Sequence, residues 1–233
     1  MKWDRRSKLI KISKYAIIIC LVLSIIFAGF TIYGNKVGNF ILNVDRKNGV
    51  SLSLSDREDL GDKTARLAAK GLDEQSLATL SDIPKDIAKG VGVKNAKFGQ
   101  LYMAYSFYLL NESGRTVDYT VGINILETHL GADEVVRVMV IEGESERGRI
   151  FAKSRADGTP EEHTLENMEK GTEPYTTIPF QSETEVGGWT VTSFGDGASQ
   201  KYTIVVWLEG EDEQATDAIM GSGIRMSLTF TGY

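Results

Sequence analysis

An acidic segment late in the chain is the first candidate for chemistry. Five carboxylates are gathered in it, those of Glu209, Glu211, Asp212, Glu213 and Asp217. Oxygen-rich loops hold hard cations such as calcium. The spacing does not follow the EF-hand pattern, so a solvated acidic loop is the competing interpretation, and Glu211, Asp212 and Asp217 are only weak candidates for metal ligands.

Residue patterns for catalysis are missing from the sequence. The two histidines, His129 and His163, are far apart and belong to no HExxH motif. Ser222 lies in the segment MGSGI, where a strand rather than a helix is expected to follow, unlike a nucleophile elbow. We therefore predict no catalytic residue, no cofactor and no enzymatic activity.

Trp189 and Trp207 are candidates for sugar binding, and Asn111 begins an N-x-S sequon. Exposed aromatic side chains form sugar platforms, but both tryptophans lie in strand patterns, where a core position is the more common one. The sequon would matter only in a eukaryotic secretory route. A turn at residues 111–114 (NESG) explains the same residues.

The N-terminal part of the chain predicts a membrane anchor. Residues 15–33 contain the uncharged run AIIICLVLSIIFAGFTI between Tyr15 and Tyr33, long enough to span a bilayer. Residues 1–14 carry six basic residues and one acidic residue, which favours a cytoplasmic N-terminus. A cleaved signal peptide shares this pattern, but the apolar run is long for one and lacks an Ala-x-Ala site. The only cysteine, Cys20, lies within the run, so the outer part contains no disulfide.

The two sides of the predicted membrane carry opposite net charges. Removing the six basic residues and one acidic residue of the tail from the totals of 26 and 32 leaves 20 basic against 31 acidic residues outside. Such a surface repels nucleic acid, which we exclude as a partner.

Residues 34–233 predict one extracytoplasmic all-β domain, a β-sandwich or jelly roll with short inserted helices. Residues 39–44 and 50–54 alternate in hydrophobicity around the turn sequence DRKNG and predict a hairpin. Residues 56–92 are rich in Ala, Leu and Lys and predict a helical insertion, and residues 160–171 predict a short surface helix. Residues 97–110 are apolar on both faces, which indicates a central strand covered on both sides, or one whose outer face is met by the helices or by another molecule. Further strands are predicted at residues 117–125, 134–141, 149–153, 189–194, 202–208 and 223–230.

This order of features resembles the camelysin and TasA-like biofilm-fibre proteins of Gram-positive bacteria. The residues that carry the resemblance are 37–45 (VGNFILNVD), 50–54 (VSLSL), 98–110, the turn 111–114, 117–125, 206–210 (VWLEG), Asp217, Ile219, Gly221 and 224–230. The resemblance implies a jelly-roll-like surface domain that forms fibres by lending a strand to its neighbour. It also implies a leader removed by signal peptidase, whereas the residues here predict a retained anchor. A peptidase activity assigned to camelysin-like proteins is not carried over, because the chain has no matching zinc motif.

Two functions remain open from the sequence. The first is a membrane-anchored structural or interaction protein of the cell surface, which pairs with copies of itself or with other surface proteins by donating residues 39–44. The second is a surface module that binds cell-wall sugar or calcium through Trp189, Trp207 and the acidic segment.

Overall fold

The computed structural model describes residues 17, 19–21, 23–24, 40–45, 49–69, 77–95, 101–160, 162–163, 175–219 and 221–233. The chain divides into two compact units, Met1–Gly38 and Asn39–Tyr233. In the first unit the described residues are helical. The predicted basic tail 1–14 lies outside the described residues, and so does most of the predicted anchor 15–33. No helix among the described residues combines the length and the apolar character needed to cross a membrane.

Five strands of the second unit form one sheet, in the order β12-β6-β14-β1-β3. The longest strand of this sheet, Val117–His129, shows the alternation in burial that is typical of a strand. Val117, Tyr119, Val121, Ile123 and Ile125 are buried, and the residues between them are partly exposed, so every second side chain faces the core. The strands of this sheet are β1 (Phe40–Asp45), β3 (Arg66–Ala69), β6 (Val117–His129), β12 (Glu185–Phe194) and β14 (Gly223–Gly232).

Seven strands form the second sheet, in the order β11-β8-β7-β13-β5-β2, with β4 beside β5. They are β2 (Leu52–Ser55), β4 (Gly92–Asn95), β5 (Tyr102–Asn111), β7 (Val136–Glu142), β8 (Arg149–Ala152), β11 (Ile178–Pro179) and β13 (Ser199–Leu208). A separate pair consists of β9 (Glu162–His163) and β10 (Tyr175–Thr176).

The two large sheets face each other across one hydrophobic core. The ring of Phe107 in β5 lies 5.9 Å from that of Phe230 in β14. The hydroxyl groups of Tyr119 and Tyr202 also meet across this core, at 2.7 Å. The described helices of the second unit are short: α1 (Ala132–Val135) and the 3-10 turns Leu80–Asp82 and Asp217–Ile219. The prediction of an all-β domain with short helices is confirmed.

A second apolar layer covers the outer face of the seven-stranded sheet. Residues 77–88, which we name the cover segment, pack Ala78, Leu80, Ile83, Ile87 and Ala88 against buried side chains of that face. The prediction that residues 97–110 form a strand covered on both sides is confirmed for its described part, since β5 has buried residues on both faces. Residues 96–100 lie outside the described part of the chain.

The predicted hairpin of residues 39–44 and 50–54 is wrong. β1 belongs to the five-stranded sheet and β2 to the seven-stranded sheet. β1 and β2 each have one strongly apolar face. The core lies between two sheets, so the two faces can be buried from opposite sides of it. The chain therefore crosses between the sheets here, and residues 46–48 within the crossing are outside the described part.

The predicted helical insertion at residues 56–92 is also wrong in its first half. Arg66–Ala69 form the strand β3, which pairs with β1 and alternates in exposure instead of following a helical stripe. By pairing with β1, β3 supplies hydrogen-bond partners for backbone groups of β1 that would otherwise have none. This gain outweighs the helical propensity of Leu67 and Ala68. One 3-10 turn occurs later, and residues 70–76 are not described.

Residues 162–163 are not helical either, because they pair with β10. The remainder of the helix predicted at residues 160–171 lies outside the described residues, apart from residue 160.

Candidate functional site

The acidic segment is tied into the fold by a buried ion pair. Nη2 of Arg137 lies 2.8 Å from Oδ2 of Asp212, and the two side chains are 2% and 4% exposed. Glu209 is buried as well, and its Oε2 accepts a hydrogen bond from Nε1 of Trp207 at 2.9 Å. These contacts leave two of the five carboxylates inside the protein.

The structure does not assemble the predicted cation ligands. Glu211 and Asp217 are exposed, whereas Asp212 faces Arg137. Within the described ranges, no three side chains of His, Cys, Asp or Glu are grouped so that they could hold a metal ion. Arg137 was not among the predicted site residues, although it is the only charged residue in the run VVRVMVI and so marked a buried charge.

The ion pair also holds the acidic segment beside the cover segment. Arg137 lies on the face of β7 that carries Met139, and Met139 packs in the layer under the cover segment. The N–H of Ala78 donates to the carbonyl of Leu208, and the N–H of Gly210 donates to the carbonyl of Ala78. The polar cluster of Arg137, Trp207, Glu209 and Asp212 therefore lies at one end of the outer apolar layer.

Glu209 has a shifted titration. Burial raises the pKa of its carboxyl above the usual value of 4.5, and this effect outweighs the hydrogen bonds from Trp207 and from the N–H of Glu211, and the positive charge of Arg137, all of which lower it. The folded protein thus binds this proton more tightly than the unfolded chain does. The stabilising contribution is fully present below the unfolded pKa and is lost as the pH rises through the folded pKa.

We expect this shift to be visible in the variant Glu209→Gln, which cannot ionise. As the pH rises from 4.5 to neutral, the unfolding free energy of the wild type should fall relative to that of the variant. Urea denaturation of both proteins across this range measures it, and a difference that does not vary with pH would contradict the shift.

The two tryptophans have different surroundings. Trp207 is fully buried beneath the cover segment and offers no ring face to a sugar. Trp189 is half-buried, with its ring stacked on that of Phe151 at 6.4 Å. The guanidinium carbon of Arg149 lies 4.4 Å from the centre of the Trp189 ring. The face of Trp189 is thus occupied by protein side chains.

Asn111, the first residue of the sequon, is completely buried at the end of β5. Its Nδ2 donates to the carbonyls of Arg115, Phe194 and Gly195 at 2.8 to 2.9 Å. Glycosylation of this amide is therefore incompatible with the folded state. Residues 112–116 connect β5 to β6 in the opposite sheet, so the turn predicted at residues 111–114 carries the chain from one sheet to the other.

The best candidate for a functional site is the position that β1 occupies. β1 lies between β14, to which it is parallel, and β3, to which it is antiparallel. Phe40, Leu42 and Val44 point from it into the core and are at most 9% exposed. We name this position, bounded by β14 and β3, the β1 slot.

No tight turn is needed to hold β1 in the β1 slot. In the five-stranded sheet the β1–β14 pair is parallel, while the other paired neighbours are antiparallel. Parallel neighbours cannot be joined by a two-residue hairpin. The strand is thus held in the slot by its side chains and its backbone hydrogen bonds, which a strand from another molecule can reproduce.

Comparisons with protein-family models and with curated proteins give no match to the chain.

Proposed function

We propose that the protein is a structural or interaction protein of the cell surface, held in the membrane by residues 15–33, which assembles by donating β1 to the β1 slot of a neighbouring copy. The proposal includes a jelly-roll topology, kinship with the camelysin and TasA-like proteins, and a Gram-positive cell membrane with the N-terminus inside. The two facing sheets support the topology. The basic tail and the apolar run support the location.

The observation that carries the proposal is the arrangement of β1 in its slot. The strand contributes three apolar side chains to the core and pairs on both sides. Burial of each such side chain stabilises by roughly 1.5 to 3 kcal/mol, so an empty slot is a strong acceptor for a matching strand. A copy of β1 from a neighbour restores the same contacts, as in domain swapping.

The position of β1 in the chain supports donation in one direction. β1 is the first described strand of the unit Asn39–Tyr233 and follows the predicted anchor closely. When each copy gives its β1 to the next, the contact is head-to-tail and does not close unless the rotation forms a ring. Such contacts generate filaments, which fits the implied role in a surface fibre.

A pair of engineered cysteines tests the proposal. Asn43 in β1 and Thr229 in β14 are register partners and are only partly buried. Neighbouring strands lie within the distance that a disulfide bridges. In Asn43→Cys/Thr229→Cys, with Cys20→Ser to remove the native thiol, we expect oxidation to link different molecules. Non-reducing gels of the full-length protein, on cells and in detergent, should then show a ladder of covalent multimers.

The matched control is Thr120→Cys/Thr190→Cys in the same Cys20→Ser background. The hydroxyls of Thr120 and Thr190 lie 3.5 Å apart, and both belong to strands that stay within one subunit. This pair should give only linked monomers. If the Asn43/Thr229 pair also gives only linked monomers, β1 stays in its own slot and strand donation is wrong.

A further inference from the structure

A cleft of about 320 Å³ opens beside the loop between β7 and β8. Its walls include Val140, Glu142, Arg147, Arg149, Ile150 and Ile178. The volume is at the lower end of the range for small-ligand sites. Two arginines in one small cleft stand out in a domain whose charge is predominantly negative.

Arg149 is held in place by an aromatic stack. Its guanidinium lies over the ring of Trp189, and Trp189 is itself stacked on Phe151. On the solvent side, Nη2 of Arg149 lies 2.9 Å from Oε1 of Glu142, in an ion pair whose side chains are 42% and 40% exposed. Such an exposed ion pair contributes little stability, whereas stacking fixes the plane of the guanidinium. Arg149 can therefore keep its orientation when Glu142 moves away.

Arg147 is fixed by the loop that carries it. Its Nη1 donates to the carbonyl of Glu146 and its Nη2 to the carbonyl of Ile83 in the cover segment. Gly148 lies so close to β7 that an added Cβ would be 1.9 Å from the carbonyl oxygen of Val140. Only glycine permits this approach, which seats the flanking arginines at the wall of the cleft.

The other walls of the cleft include the polar residue Ser145 and three apolar residues. Val140 and Ile150 are buried, and Ile178 on the edge strand β11 is 42% exposed. A ligand that covers Ile178 would remove this apolar surface from water. The cleft thus offers the stacked guanidinium group of Arg149 together with a partly exposed branched side chain, that of Ile178.

We infer that this cleft binds a carboxylate attached to a small apolar group, such as the C-terminal residue of a peptide with an aliphatic side chain. The ligand carboxylate replaces Glu142 at Arg149, because guanidinium groups match carboxylates geometrically. The apolar group covers Ile178. Glu142 is the internal competitor that occupies Arg149 when the ligand is absent.

The experiment compares two probes on the full-length protein in a non-ionic detergent. N-acetyl-leucine carries the carboxylate, and N-acetyl-leucinamide has the same apolar body without the charge. By calorimetry or NMR titration we expect the acid to bind at least about tenfold more tightly than the amide, as for the loss of a charge-assisted hydrogen bond. Arg149→Lys should weaken binding of the acid by a similar factor, since lysine lacks the planar fork.

Glu142→Gln distinguishes ligand binding from a structural role of the arginines. It removes the competing carboxylate, so the acid should bind a few-fold more tightly to this variant. The matched control is Arg225→Gln, which alters another exposed arginine paired with one carboxylate, Glu127, and should leave binding unchanged.

Three results would overturn the inference. They are no measurable binding of the acid, equal affinity for the acid and the amide, or an affinity for the acid that neither Arg149→Lys nor Glu142→Gln changes. Glucuronic acid supplies a sugar carboxylate without an aliphatic group. If it bound as tightly as N-acetyl-leucine, the assignment of an apolar ligand would be wrong.

Discussion

Replacing Asp212 with alanine should lower the free energy of unfolding by about 3 to 5 kcal/mol, the usual cost of removing one partner from a buried ion pair. Arg137 and Asp212 are almost fully buried and 2.8 Å apart. The variant takes away the carboxylate closest to a guanidinium that remains in a poorly solvated position. The loss is a large fraction of the stability of a typical domain.

Urea denaturation of the full-length protein in detergent, followed by tryptophan fluorescence, measures this loss. Trp207 belongs to the same polar cluster and contributes to this emission together with Trp3 and Trp189. Glu127→Ala is the matched control, because it breaks the exposed pair with Arg225 and should cost less than about 1 kcal/mol. Similar losses for the two variants would contradict a special role for the buried pair.

The same variant should loosen the cover segment. Ala78 exchanges backbone hydrogen bonds with Leu208 and Gly210, on either side of Glu209. Amide hydrogen exchange of these residues should therefore quicken in Asp212→Ala before that of the central strands does, because local opening needs less free energy than global unfolding.

Phe230→Ala should destabilise the protein to a similar extent, by about 3 to 5 kcal/mol. Phe230 is fully buried in β14 at the centre of the main core. Its ring lies 5.9 Å from that of Phe107, 6.1 Å from that of Tyr119 and 5.4 Å from that of Tyr202. Truncation leaves a cavity among rings that belong to both sheets, and close-packed cores relax only partly around such cavities.

Thermal and urea unfolding of Phe230→Ala measure the effect. Leu126→Ala is the control, because Leu126 is 52% exposed on β6 and its truncation should change stability by no more than about 0.5 kcal/mol. A loss below about 1 kcal/mol in Phe230→Ala would show that the core closes around the missing ring.

Phe230 also connects core packing to the proposed assembly. It is the register partner of Val44 and so forms part of the wall of the β1 slot. Its truncation should weaken the hold on any β1, whether from the same chain or from a neighbour. In the Asn43/Thr229 cysteine pair, Phe230→Ala should therefore reduce the yield of linked species, while the Thr120/Thr190 pair should be affected less.

Much of the strand content was predictable because strand periodicity is local. Alternation along β6 and the apolar faces of β5 each reflect the burial of side chains two residues apart. The spacing of Leu67 and Ala68 was mistaken for that of a helix, since a few apolar residues fit both the helical and the strand period when the segment is short. Pairing with β1 makes these residues a strand.

The candidate sites were harder to predict, because each depends on residues that are distant in sequence. Asp212 was a weak candidate for a calcium ligand, and its ion-pair partner Arg137 is 75 residues away in the sequence. Trp189 was a candidate for sugar binding, although a core position was the more common one, and its ring contacts the side chains of Arg149 and Phe151. The sequence marked the unusual residues and could not identify their neighbours.

The sequence by itself determined that the residues beyond the apolar run form an all-β domain with an acidic surface, because composition and two-residue alternation set these properties locally. Only the tertiary structure decided that β1 lies parallel to β14 instead of pairing with β2. It alone decided that the acidic segment is held by a buried arginine and that Arg147 and Arg149 share a cleft. The physical reason is that an apolar face in the sequence predicts only that the face is buried. Which strand or side chain it packs against depends on the packing of the whole core.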